Sequence, residues 1–151
     1  LQLASVAWKS RLSSGTVHER AMAAQNLARV GKGDFSGAEL SGVTLSGMDL
    51  ASVDFTEANL SEADLSSALL VETRFEGANL DGTRFEGTNL FGAQLEGALG
   101  FEEASCDRYT ILPEEWICRR GYLATAPVGS PTSSAQSGPA SQRTVSTQPP
   151  E

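Results

Sequence analysis

Residues 74–92, RFEGANLDGTRFEGTNLFG, state nearly the same ten-residue phrase twice. The phrase has a finer period inside it. Steps of five from Phe35 pass through Leu40, Leu45, Leu50, Phe55, Leu60, Leu65, Leu70, Phe75, Leu80, Phe85, Leu90 and Leu95, so thirteen successive steps all fall on Leu or Phe. Two residues before each stands a small side chain, from Gly33, Ala38 and Val43 through Thr73, Ala78, Thr83, Thr88 and Ala93, with Met48 as the exception. The remaining positions are mostly Asp, Asn, Glu, Ser, Thr or Gly.

A period of five suits neither an α-helix, at 3.6 residues per turn, nor a flat strand, at two. It suits a chain that runs extended for a few residues, turns, and runs again. Within each extended piece the large residue and the small one two before it share a face, which becomes the inside. The residue between them faces out. Gly or Ser after each pair, as at Gly37, Gly42, Ser52, Ser67 and Gly77, supplies backbone that tolerates the corner.

Tandem text such as Ala58-Asn59-Leu60-Ser61-Glu62 followed by Ala63-Asp64-Leu65-Ser66-Ser67 resembles the pentapeptide-repeat family. The resemblance covers residues 33–97. It implies an all-β solenoid, a right-handed four-sided (quadrilateral) β-helix with four repeats per coil. It implies far less about function, since fold and function part company in such scaffolds. Four repeats of five put residues twenty apart above one another. Phe35, Phe55 and Phe75 then form one internal column, Leu40, Leu60 and Leu80 a second, and Leu50, Leu70 and Leu90 a third. Outside, Asp54 falls against Arg74 and Asp64 against Arg84. Such exposed pairs contribute about 0–1 kcal/mol each and support register more than stability. About three coils give a prism roughly 16 Å tall.

The ends of a solenoid need caps, because open coils expose pairing groups and core. In the N-terminal segment 1–32, Thr16-Val17-His18-Glu19 matches a helix capping box. A capping helix over about 17–30 follows, with Val17, Ala21, Ala24, Leu27 and Ala28 on its apolar face and Gly31 and Gly33 ending it. The stretch from Arg20 to Gly31 is also similar to the second helix of a HEAT-type repeat, which makes a C-terminal module of a larger helical-repeat protein an alternative. At the other end Gly100 falls where the next Leu belongs and empties that core position. Residues 98–126 read as a closure. There Thr110-Ile111-Leu112-Pro113 is similar to the terminal text of many pentapeptide-repeat proteins, and two short strands flank Gly121. Residues 127–151, rich in Ser, Thr, Pro and Gln, cannot support a core and read as a disordered tail.

Charge is divided along the chain. Residues 1–32 carry a net +4, residues 33–97 a net −10 and residues 98–151 a net −2, within a total of −8. An acidic rod argues against nucleic acid or an anionic membrane as partner, because phosphate contacts need Lys and Arg. One His and two Cys are too few for the usual zinc site, and no phosphate loop or nucleophile motif appears. The expectation is therefore no catalytic residue, no cofactor, no metal and no small-molecule substrate. Asn59-Leu60-Ser61 matches a glycosylation sequon but is also ordinary repeat text. Cys106 and Cys118 flank the closure; a disulfide would pin it, but free thiols in a reducing compartment are the favoured expectation. With no targeting or membrane segment visible, a cytoplasmic location is expected, with a secreted or lumenal one after processing as the alternative.

Function then rests on the surface. On the fourth face the outward columns read Asp49, Leu69, Asn89 and Ala51, Val71, Phe91. Leu69, Val71 and Phe91 thus make an apolar patch on an acidic prism, where a contact is expected. The favoured reading is a non-catalytic protein-interaction or spacer module that binds a protein partner or itself. Cover by the segment around Trp8 or by the C-terminal strands is the competing explanation of the patch. The family resemblance also implies an alternative function, DNA mimicry directed at a DNA topoisomerase.

Overall fold

The computed structural model describes residues 12, 14–29 and 33–127. The segment around Trp8 and the expected tail, apart from Pro127, lie outside the described residues. From residue 33 the chain winds in coils of twenty residues. The outward residue before each core position pairs in parallel with its counterpart twenty later, from Asp34 with Asp54 through to Asn79 with Leu99. These are isolated bridges and not strands. A side only five residues long keeps one residue in the ladder before the corner bends it away. Among the described residues, regular strands are confined to a C-terminal hairpin, Trp116–Arg119 (β1) and Tyr122–Thr125 (β2).

Hydrogen bonds run up the prism at every step. The Asp54 N–H donates to the Gly33 carbonyl at 2.6 Å, and the Phe55 N–H donates to the Arg74 carbonyl at 2.8 Å. Each corner is a turn closed within its own repeat, as where the Ala58 N–H reaches the Phe55 carbonyl at 2.9 Å. The third residue of each turn takes a left-handed conformation. Glycine fills that place at Gly37, Gly42 and Gly47 and again at Gly77, Gly82, Gly87 and Gly92. On the coil between them, Glu57, Glu62, Ser67 and Glu72 adopt the same φ of 57–58°. Glutamate at these corners is a departure from the Gly/Ser expectation, and it loads one coil with a conformation that L residues disfavour by about 1–2 kcal/mol.

All thirteen Leu and Phe side chains of the five-residue register are buried, none more than 1% exposed. Phe35, Phe55 and Phe75 stack with centroids 5.2 and 5.4 Å apart, and Phe85 meets Phe75 edge-on at 6.0 Å. The buried threonines add something the word "small" conceals. Thr73, Thr83 and Thr88 donate their hydroxyls to the Leu50, Leu60 and Leu65 carbonyls at 3.0, 2.8 and 3.0 Å. Each fills an Ala-sized slot and ties two coils together without leaving a polar atom unpaired.

The N-terminal helix, α1, spans Val17–Arg29 and opens with the expected capping box. Glu19 accepts from the Thr16 N–H at 2.8 Å, and the Glu19 N–H reaches back to the Thr16 hydroxyl at 3.3 Å. Its buried face is Ala23, Ala24 and Leu27, with Ala21 and Ala28 half-buried. Val17 shares the arc of Ala24 but is 47% exposed, because it lies at the helix end. Arg20 and Gln25 donate to the Ser41 and Thr44 carbonyls, at 3.3 and 3.5 Å, seating the helix on the first coil.

At the top the pairing continues beyond the five-residue register, with longer steps. Arg84 pairs with Ser105 and Asn89 with Ile111, spacings of 21 and 22 residues. The extra residues are absorbed by a 3-10 turn, Phe101–Glu103, and by a loop around Asp107. Gly100 is therefore a corner in left-handed conformation rather than an emptied core slot. A Cβ there would come 2.9 Å from the Asp81 backbone. Phe101 turns in against the core and meets Trp116 edge-on at 4.9 Å. The hairpin covers the Ser105 edge: the Cys106 N–H donates to the Gly121 carbonyl and the Leu123 N–H to the Ala104 carbonyl. Cys106 and Cys118 are disulfide-bonded, contrary to the free-thiol expectation. The pairing of Cys118 with Leu123, which is bonded to Ala104, brings β1 over Cys106, with the two Cα atoms 5.9 Å apart.

Candidate interaction face

Two columns of outward side chains define the face that the sequence singles out. Bridges align Asp49, Leu69, Asn89 and Ile111 in one column. The other is aligned by backbone bonds, the Ser52 N–H to the Val71 carbonyl and the Glu72 N–H to the Phe91 carbonyl. Leu69 is 38% exposed and Phe91 65%, while Val71 is half-buried between them. Ile111, 51% exposed, extends the patch to the fourth coil. Because the hairpin follows the Ser105 column, β1 and β2 bond to a neighbouring face and not to this one. The ladder backbone beneath the patch is already spent: at Leu69, Asn89 and Ile111 the N–H donates to the coil below and the carbonyl accepts from it. At those three residues only side chains remain to make a contact.

The neighbouring outward columns are polar and paired from coil to coil at several rungs. Arg74 bonds Asp54 at 3.1 Å, and Arg84 reaches Asp64 at 3.6 Å. The Thr56 hydroxyl, with its N–H and then Arg74, holds the Asp54 carboxyl below the usual carboxylate range. At Asp64 burial pushes the carboxyl up, but the Ser66 hydroxyl and N–H and the Arg84 guanidinium outweigh it and the result is lowered. Asn59 donates to both oxygens of Glu39, at 2.9 and 3.0 Å, so the sequon asparagine is a rung of a polar ladder. At the top, Asp107 accepts from the Gly87 N–H at 2.9 Å, the Tyr109 N–H at 3.0 Å and the Thr110 hydroxyl at 2.9 Å. The Gly87 bond, above the others, holds its carboxyl low.

An open recess of about 480 Å³ lies beside the face, between the end of α1 and the first coil, lined by Ala28, Arg29, Gly33, Met48 and Asp49 among others. One carboxylate and one guanidinium among its described residues offer no acid–base pair of matched function. Among the described residues no group of three or more His, Cys, Asp or Glu could hold a metal ion, and no helix is long and apolar enough to cross a membrane.

The family model described as pentapeptide repeats matches residues 34–70 and 68–98, in eight copies. The chain belongs to the pentapeptide-repeat family. Solved pentapeptide-repeat structures resemble it in part. HetL, involved in heterocyst differentiation regulation in the cyanobacterium Nostoc, is 29% identical, over 54% of this chain and 39% of HetL, with a TM-score of 0.37. A second pentapeptide-repeat protein from Nostoc, alr5209, is 33% identical, over 61% of this chain and 84% of its own length, with a TM-score of 0.34. QnrB1, a plasmid-mediated fluoroquinolone resistance protein, is 21% identical, over 54% of this chain and 53% of its own, with a TM-score of 0.33. The chain thus spans about two fifths of HetL and about half of QnrB1. No curated protein sequence matches it significantly. Pentapeptide repeats account for the buried columns and the corners, but not for apolar residues at outward positions.

Ile111 was missed as a member of the patch. Its signal lies in Thr110-Ile111-Leu112, which restates Thr88-Asn89-Leu90 at a spacing of 22. A search at multiples of five passes over it.

Proposed function

We propose that the chain folds as a right-handed four-sided β-helix and serves as a non-catalytic protein-interaction module, with the face of Leu69, Val71, Phe91 and Ile111 as its contact surface. The observation that carries this is the 65% exposure of Phe91, at a position where the repeat otherwise places polar residues. Burying an aromatic ring of that size against a partner removes apolar area worth roughly 1.5–3 kcal/mol. A pure DNA-mimic reading draws less support, because Arg74 and Arg84 each neutralise an aspartate of the rod, Asp54 and Asp64.

Replacing Leu69, Val71 and Phe91 with Ser tests the proposal. Since none points into the core, circular dichroism and Tm should stay close to those of the parent. Association, with a second copy by light scattering or with an added partner by its binding to this face, should be lost. A drop of many degrees in Tm with unchanged mass would mean that the patch is covered from within the chain, and the interaction face would be abandoned.

A further inference from the structure

The partner's chemistry can be read from the same face, on the assumption that it is a contact surface. The geometry points to a basic amphipathic α-helix as the occupant, its apolar stripe on Leu69, Val71, Phe91 and Ile111 and its flanking Lys or Arg on the surrounding acids. Three observations support this choice.

The first is backbone saturation. An extended peptide gains affinity by joining a free ladder, and here the ladder groups of Leu69, Asn89 and Ile111 are bonded to the coil below. A helix keeps its own backbone bonds internal and needs only side-chain contact.

The second is dimension. From Leu69 to Ile111 the patch rises two coil steps, roughly 10 Å. Two turns of an α-helix advance about 11 Å, so residues seven apart on one helix stripe span the patch.

The third is charge. Asp49 closes the lower end of the Leu69 column, and Glu72 stands at the corner beside Val71; both are exposed. Glu114 follows Ile111 by three residues, as Glu72 follows Leu69. The basic groups of the repeats, Arg74 and Arg84, are engaged by Asp54 and Asp64, and Arg29 lies with Asp49 in the recess at the lower end of the face. Arg108, three residues before Ile111, is stacked over the Tyr109 ring at 4.9 Å. A second copy pressed on this face would bring up a second acidic rim, in a pair of chains that each carry −8. A partner helix with basic flanks turns the same rim into attraction, chiefly in on-rate and specificity.

The test uses the full chain and three fluorescein-labelled peptides of about five helical turns each. One is a Leu/Ala/Lys amphipathic helix, one carries Glu for every Lys, and one has the basic composition in shuffled order. Fluorescence anisotropy should show the basic helix binding at least about tenfold tighter than either control, as charge complementarity and a continuous stripe require. Raising the salt from about 0.05 to 0.5 M should weaken it several-fold. Leu69→Ser/Val71→Ser/Phe91→Ser should lose at least about tenfold, and Asp49→Asn/Glu72→Gln about threefold, each with unchanged circular dichroism. Equal binding of the shuffled peptide, or full binding by the triple variant, overturns the inference. If no peptide binds while the parent alone doubles its particle mass and the triple variant does not, the face is a contact for a second copy and only the partner class is wrong. If no peptide binds and the triple variant loses thermal stability, the face is covered internally and both readings fall.

Discussion

The repeat stack and the structure above it reach closure by opposite means. Between residues 33 and 98 the same few interactions recur at every step, and any one repeat resembles the next. From Gly100 to Thr125 only the bridges at Ser105 and Ile111 carry that pattern on. The top is held by one disulfide, one Phe101–Trp116 ring contact, one Asp107 hub and one hairpin, each of a different kind. A periodic region distributes its stability, so its core tolerates conservative changes and its surface tolerates almost anything. An aperiodic one concentrates stability in groups that have no duplicate.

The largest expected effect comes from breaking the periodic core with a charge. Leu65→Asp places an unpaired carboxylate in a wholly buried column and should cost more than about 4 kcal/mol, read as loss of the circular-dichroism signal at room temperature. Gln94→Asp, outward and paired in register above Arg74, should leave the signal intact. Equal damage from both would mean that inside and outside are wrongly assigned.

Next is removal of the aperiodic top. Truncation after Gly100 takes away the carbonyls of Ser105 and Ile111 that cap Phe85 and Leu90, and light scattering should show dimers or aggregates from the exposed edge. A stable monomer would show that the repeats close themselves. Cys118→Ser leaves the hairpin bonds but opens the covalent loop, and should lower stability by about 2–3 kcal/mol in denaturant titration. No change would place the hairpin's hold in its hydrogen bonds alone.

A smaller effect is expected at Asp107. Its folded-state carboxyl is lowered, so its contribution is present above the ordinary aspartate value of about 4 and fades as the pH drops through the lower folded value. Tm should fall in acid, and the fall should be shallower in Asp107→Asn. Parallel curves for the two proteins would assign the acid loss to Asp54 and Asp64 instead. Smallest of all, Glu62→Gly relieves a left-handed corner and should stabilise by about 0.5 kcal/mol after the added flexibility of the unfolded chain. A loss would show that the Glu62 stem, 3.5 Å from where a Cβ on Gly82 would lie, is held by packing.

Most of the stack was legible because a five-residue period leaves one inward solution. The thirteen core positions, the Phe column and the Asp54–Arg74 and Asp64–Arg84 pairs all follow from counting. Glu57, Glu62 and Glu72 did not, since propensity says glycine and only the closed turn forces the φ. The disulfide is not legible in the sequence, because compartment chemistry points to free thiols whereas the hairpin register decides which atoms meet. At the face, Leu69, Val71 and Phe91 stood out as apolar residues in polar slots. Ile111 was hidden by two inserted residues that shift the count without breaking the column.

The pairing interval also makes the molecule behave like a threaded rod. Excising residues 73–92 would remove one full thread, twenty residues, and leave the hairpin on the side it now occupies. Excising any five would rotate everything above the cut by a quarter turn relative to α1, carrying the disulfide and Ile111 onto another side. Length and azimuth are therefore locked together. Copies of this design that differ by whole threads keep their two ends in phase, and those that differ by a fraction do not.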